Sequence, residues 1–460
     1  MQVYGLNVDV KNIPVLDQGF IPMAPFCQAF EESAKNGKEI AIAVERNQGF
    51  TAVRRFKIHG TPEFAEADKV YTERTCKMLL WAYGGYKIYV CGDDDLAKFI
   101  AATYVKGGAR EFDADFMANV YEKPFEVVSV ALADTPAEKS GAQAVGRHLE
   151  GCRIGFDAGG SDRKVSAVID GKSVYSEEVV WFPKTNPDPD YHFDGILTAM
   201  KTAASKMPRV DAIGVSSAGI YVDNRAMVAS LFLKVPKEDF DKKVKDIYIR
   251  AAREIGAPLY VANDGDVTAL AGAMSLETNA ILGIAMGTSE AAGYVDEDGN
   301  ITGWLNELAF APVDLQDDAM VDEWSGDKGC GVKYFSQDGV IKLAPRAGIQ
   351  LDESLSPAEK LKVVQGEVEN GNDKALDIYR SIGTYLGHSL GYYAMYYNIE
   401  HVLLLGRVMS GKGGDAVIAE ARRVLSEEYP EAAAMELHLP DEKIRRVGQS
   451  AAAASLPQID

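Results

Sequence analysis

The chain switches repeatedly between short apolar runs bounded by glycine or polar turns and longer stretches with helical spacing. Runs of the first kind read as buried strands, and apolar positions three and four apart read as helices. Residues 39–44 form a strand, and 50–58 alternates well enough to be its hairpin partner. Helical spacing at 73–83, a strand at 86–90, a helix at 95–105 and a strand at 125–132 complete a first unit. A polar stretch rich in alanine and glycine, 134–151, reads as a linker or exposed helix. Strands resume at 153–156 and 165–169, paired as a hairpin, and 174–181 extends their sheet. A helix at 194–205, a strand at 212–216, an amphipathic helix at 240–255, a buried strand at 259–262 and a helix at 267–273 follow. A third unit begins near Ala280, with a strand at 281–285 and another running through Tyr294. Its acidic turn at 296–299 suits a hairpin. Residues 355–397 are mainly helical, 402–405 is a strand and 415–425 a helix, and the alanines at 451–454 read as a frayed tail.

Four of these strands end in small, hydroxylated or acidic residues. In a sheet protein such ends gather at one edge, where ligands bind. The first turn crowds Asp157, Gly159, Gly160, Ser161 and Lys164 together. Glycines let backbone N–H groups approach phosphate oxygens, Ser161 and Lys164 add donors, and Asp157 is suited to hold Mg²⁺ through water. The second, Asn263-Asp264-Gly265-Asp266, carries an acid to a strand tip where a helix begins. Asp264 is placed to take a proton from an attacking hydroxyl, and Asp266 to cap the helix or bind metal. The third offers Gly287, Thr288 and Ser289 as a cradle for terminal phosphates, and the fourth offers Gly406, Ser410 and Gly411 as a close surface for a base or ribose. Taken singly, each also reads as an ordinary turn or helix cap. Asp93-Asp94-Asp95 reads as such a cap, where carboxylates meet free N–H groups.

Composition narrows the class. The chain has 460 residues, 47% hydrophobic and 25% charged, enough for two or three cores. A net charge of -20 argues against nucleic acid as a partner. ATP remains open, because a local site can be basic or carry a divalent cation. Five cysteines, Cys27, Cys76, Cys91, Cys152 and Cys330, form no CxxC pair, so neither a zinc knuckle nor a disulfide framework is readable. No signal peptide and no membrane span are evident, and the expectation is a cytoplasmic enzyme or regulator.

In their order, the four motifs resemble those of the ROK family of sugar kinases and regulators, a branch of the actin-like ATPase superfamily with hexokinase and the Hsp70 nucleotide domain. The resemblance runs from residue 153 to about 435. Its connecting motif falls on 213–223, with Gly214, Gly219 and Asp223, its second phosphate region on 283–293, and its adenosine motif on 404–414. It implies an α/β fold of two duplicated ribonuclease H-like lobes, at 151–278 and 279–460, preceded by an additional α/β domain of unknown role at 1–148. It also implies ATP and Mg²⁺, with the metal near Asp157 and Asp266, Asp264 as general base, and a homodimer. A sugar or polyol would meet Asn263, Glu307 and Lys234.

The departures bear on the substrate. The family's Glu-x-Gly-His segment corresponds to 306–310, where Glu307 is kept and Phe310 takes the histidine's place. Its zinc-binding cysteine cluster is reduced to Gly329-Cys330-Gly331, so structural zinc is not expected. A sugar-contacting Asn before Leu-Pro gives way to Lys234-Val235-Pro236. Lys234 with Arg225 would suit an acidic substrate, although exposed basic side chains on a loop are the plainer account. The leading expectation is an ATP-dependent sugar phosphotransferase. The alternatives are a non-catalytic sugar or nucleotide sensor and an ATPase working with a protein partner.

Overall fold

The computed structural model describes residues 1–140, 145–440 and 448–459. Three sheets carry the architecture. In the N-terminal domain, strand Lys38–Glu45 pairs antiparallel with Thr51–Ile58 and Lys87–Cys91, and Glu126–Val130 adds in parallel at the far edge. Helix Ala65–Tyr83 starts well before its sequence signal, because Ala67 and Tyr71 bury against the same core as its apolar C-terminal half. Asp93 accepts N–H bonds from Asp95 and Leu96, so the acidic run is a helix cap as expected.

The first lobe is a five-stranded sheet. Cys152–Ala158, Asp162–Ile169 and Lys172–Val180 run antiparallel in sequence, and Ala212–Ser217 and Leu259–Asn263 join in parallel on the other side. The second lobe repeats the hairpin with Ile281–Met286 and Glu290–Val295, then adds His401–Leu405 and Glu436–His438 in parallel. The stretch read as one helix at 240–255 is broken into a wide turn at Phe240–Val244 and a helix at Ile247–Ile255.

Two findings change the expected domain plan. The alanines at 451–454 are not a frayed tail. They belong to helix Gln449–Ala454, buried on the first lobe's sheet. Gly155 and Gly214 make that possible, since a Cβ on them would lie 1.7 Å from Ser450 O and 1.6 Å from Ala453 O. The chain therefore returns to the first lobe after building the second. In addition, the N-terminal domain shares one continuous apolar core with the second lobe, which first-lobe Ile220 also joins, while most of the first lobe packs around a core of its own.

The joint between N-terminal domain and second lobe is also ionic. Lys77, 1% exposed, meets Asp113 at 3.0 Å and makes a short contact to Asp327. Arg110 bonds Glu73 at 2.6 Å and also reaches Asp327. Burial alone would raise the Glu73 carboxyl, but the guanidiniums of Arg110 and Arg74 reverse this and hold it at about 2.

Candidate active site

The residues singled out in the sequence lie at strand ends of the two lobes. Asp157 closes the first strand of lobe one, 6% exposed, and accepts a hydrogen bond from Ser216 Oγ at 2.9 Å. Burial pushes its carboxyl up to about 6, Ser216 and Lys164 oppose the rise, and Asp264 adds to it. Lys164 stands opposite Asp157 across the hairpin and pairs with Asp162 at 3.3 Å. The glycine turn between them is tied down by Trp181, whose indole N–H donates to Gly159 O at 2.8 Å. Ser161 is exposed and donates to Asp162 at 3.1 Å.

Asn263 and Asp264 sit where strand Leu259–Asn263 becomes helix Asp264–Leu276. Asn263 caps the helix, accepting from Gly265 N at 2.7 Å and donating to Gly219 O. Asp264 lies at the tip, and burial raises its carboxyl against the pull of the Gly265 N–H and of Lys184. The helix start approaches the second lobe through two glycines. A Cβ on Gly293 would stand 2.2 Å from Gly265 C, and one on Gly265 would stand 2.4 Å from Ala292 O.

Asp266, expected to cap the helix or hold metal, bridges to the second lobe through one of its oxygens. It is 4% exposed, and its Oδ1 accepts from Tyr294 N at 3.1 Å and Asn306 Nδ2 at 2.9 Å. It is a strut between helix Asp264–Leu276 and the second lobe. Burial pushes its carboxyl up to about 7, despite those two donors.

Glu307 lies on a loop that the N-terminal domain holds. The N–H groups of Asn306 and Glu307 donate to Ala82 O and Trp81 O, both at 2.9 Å, at the end of helix Ala65–Tyr83. Burial, then Asp264 and Asp266, raise Glu307 to about 7. Phe310 is seated among Trp81, Phe112, Phe116 and Trp324, its ring 4.3 Å from that of Trp81. The departure from histidine is thus coupled to the added domain. Glu290, 4% exposed, has no hydrogen-bond partner on either carboxylate oxygen among the described residues. Burial, then Glu307, raises it well above the usual range.

The turn after strand Ile281–Met286 presents Thr288 and Ser289 exposed between paired Met286 and Glu290, with Gly287 O accepting from Gln337 N at 2.9 Å. The fourth turn shapes a cavity of about 430 Å³ lined by Leu405, Gly406, Met409, Ser410, Gly411, Asp415, Leu439 and Pro440. Gly406 has φ 93°, and a Cβ there would lie 2.2 Å from Met286 O. A second cleft of about 390 Å³ opens where Arg46 and Tyr121 of the N-terminal domain face Asp223, Tyr260, Asn263 and Trp304.

Lys234 is exposed and makes no hydrogen bond or ion pair among the described residues. Arg225 is spoken for by Glu122 at 2.5 Å and Asp246 at 3.1 Å, so the two do not form a basic substrate patch. Two residues near the cleft carry no readable signal in the sequence. Lys184 approaches Gly160 closely enough that a Cβ there would meet its Cε at 2.8 Å. Its loop is held by His192, whose ring nitrogens face Pro183 O and Asp188 O. Gln449 donates to Asp264 O and Ser216 Oγ, both at 3.0 Å.

Two lobes, each a hairpin extended by parallel strands, with an acid at the strand tip that leads into helix Asp264–Leu276, define the duplicated α/β fold of actin-like ATPases. The chain belongs to the ROK family, whose sequence model matches residues 153–448. Among solved structures it is similar to a ROK hexokinase from Thermus thermophilus, with 17% identity over 66% of this chain and 97% of that one, at a TM-score of 0.52. It is also similar to a ROK glucokinase from Streptomyces griseus crystallised with glucose and AMPPNP (20% identity, 66% and 98% coverage, TM-score 0.46). A ROK transcriptional regulator, described as a homologue of the E. coli MLC protein, shares 17% identity over 67% and 78% at a TM-score of 0.47. No curated protein sequence matches the chain. No described helix is long and apolar enough to cross a membrane.

Proposed function

We propose that the protein is an ATP-dependent phosphotransferase acting on a hydroxyl of a sugar or sugar-like substrate. The observation that carries the reading is the position of Asp264, a carboxyl where a strand becomes a helix, which burial raises toward a proton-accepting role. Family membership supports the same reading.

ATP would enter with its base against the Gly406–Gly411 surface and its phosphates between the Gly159-Gly160-Ser161 and Gly287-Thr288-Ser289 turns. Asp264 takes the proton of the substrate hydroxyl. The freed oxygen attacks the γ-phosphorus, the bond to the β–γ bridging oxygen breaks, and ADP leaves with that electron pair. Asn263 holds the helix start that aims Asp264, and Glu307 binds a substrate hydroxyl. Thr288, Ser289 and Lys184 stabilise charge spreading onto the phosphoryl oxygens, so most of the acceleration is positioning and electrostatics. Mg²⁺, when bound, supplies charge neutralisation on the β- and γ-phosphates. Asp157 fits that ion, being a desolvated carboxyl beside the turn that gains from a cation, whereas Asp266 Oδ1 already accepts from Tyr294 N and Asn306 Nδ2. The proposal includes a homodimer in solution.

The test is ADP release across a panel of sugars, polyols and sugar acids. At least one substrate should raise turnover, and Asp264→Asn should lower it by about 10²–10⁴ with nucleotide binding kept. Turnover unchanged by Asp264→Asn refutes the mechanism. A sensor reading draws on Phe310 standing where the resembling kinases have a histidine, and nucleotide binding with no substrate-stimulated turnover would support it.

A further inference from the structure

The second lobe carries a cluster of metal-ligating side chains that the phosphotransfer mechanism does not use. Strand His401–Leu405 pairs in parallel with the three-residue edge strand Glu436–His438, with His401 opposite Glu436 and Leu403 opposite His438. Residues two apart on a strand share a face, so Glu436 and His438 point the same way, and the register puts His401 beside them. His401 Nδ1 and His438 Nε2 stand 3.1 Å apart. Glu436 Oε2 lies 3.9 Å from the first and 3.8 Å from the second. One ligand atom from each residue therefore falls within 4.8 Å of the others.

Two facing imidazole nitrogens share a single proton, and the carboxylate at 3.8–3.9 Å is beyond hydrogen-bond reach of both. A cation at the centre satisfies all three at once. On a tetrahedral zinc, with bonds of about 2.0–2.1 Å, ligand atoms stand about 3.3–3.4 Å apart. The rings already meet that spacing, and Glu436, 66% exposed, closes the remainder by rotating its side chain. Two nitrogens and one oxygen select a borderline transition metal over Mg²⁺, which prefers an oxygen shell.

We infer that His401, Glu436 and His438 form a binding site for one divalent transition-metal ion of the zinc class, clipping the short edge strand onto the second lobe. The site is at the start of strand His401–Leu405, and the nucleotide turn at Gly406 follows its other end, about 13 Å along. The ion is thus separate from any Mg²⁺ that accompanies ATP, and the inference stands whether or not the protein is a kinase.

Tag-free protein stripped with EDTA is titrated with Zn²⁺ by calorimetry and with Co²⁺ by visible absorption, both in excess Mg²⁺. One ion per chain is expected, with the strong visible bands of low-coordinate Co²⁺ and a raised melting temperature. His401→Asn or His438→Asn should weaken Zn²⁺ binding by about 100-fold or more, and the exposed conservative change Glu436→Gln by about 10-fold. ADP release should be indifferent to the Glu436 change. Absence of a stoichiometric Zn²⁺ complex, or wild-type affinity in both a histidine variant and Glu436→Gln, overturns the site.

Discussion

Replacing Asp266 by asparagine separates its role as a strut from a role as a metal ligand. The carboxyl titrates at about 7 in the fold against an ordinary value of 3.8. A raised carboxyl favours the neutral form in the folded state, so its contribution is fully present below about pH 4 and is lost as pH rises through 7. Three pH units at about 1.4 kcal/mol each give a penalty near 4 kcal/mol once the folded carboxyl ionises, and burial at 4% exposure leaves little solvent to screen it. At pH 5 about 1.7 kcal/mol of this is already felt, because the unfolded chain is ionised there. The amide introduced by Asp266→Asn would keep the acceptor oxygen for Tyr294 N and Asn306 Nδ2 without titrating. The variant should therefore gain about 2.5 kcal/mol over wild type between pH 5 and pH 8. Urea unfolding at the two pH values, followed by tryptophan emission, measures this. Trp304, stacked on Tyr294 with centroids 5.4 Å apart, reports from next to the strut. If the gap between variant and wild type stays flat with pH, or wild type pulls ahead above pH 7, the carboxylate works ionised against a cation and the strut argument is wrong.

Other outcomes follow from the geometry. Lys77→Met leaves Asp113 and Asp327 buried without their ammonium and should cost about 3–5 kcal/mol in denaturant unfolding, with part recovered by adding Asp113→Asn. Gly406→Ala forces a Cβ to within 2.2 Å of Met286 O at a φ of 93°, so nucleotide affinity should fall by about 10-fold or more in a fluorescent-ATP titration, while Gly366→Ala, in open space, should leave it unchanged. Phe310→Ala, which empties the aromatic seat, should cost about 3–5 kcal/mol in thermal or denaturant melts.

The strand ends that carry the candidate nucleotide residues were legible because their signals are local. Apolar runs at 153–156, 281–285 and 402–405 end abruptly in glycine and hydroxyl residues, and a strand buried on both faces needs no alternation to be seen. Asp264 was legible for the same reason, as an acid between a buried strand and a helix. What stayed hidden depends on partners far along the chain. The alanines at 451–454 look like a tail because their packing surface is made by Gly155 and Gly214, more than two hundred residues earlier, as bare backbone. The strut made by Asp266 was equally hidden, because its partner Asn306 lies forty residues on. Lys77 and Asp327 are 250 residues apart, and neither neighbourhood hints at the other. The substitution at Phe310 was visible, but its reason, a seat built by Trp81, Phe112 and Phe116 of the added domain, was not.

The N-terminal domain meets the two lobes through chemically different seams. Against the second lobe it presents a dry aromatic core and enclosed ion pairs, which ionic strength barely touches. Against the first it offers solvent-facing contacts, Glu122 with Arg225 and Lys245, and Gln48 with Asp223. A dry seam moves as one piece, whereas a wet one can part and re-form at little cost. Raising salt should therefore loosen the Glu122 pairs to the first lobe before it disturbs the enclosed pairs to the second lobe.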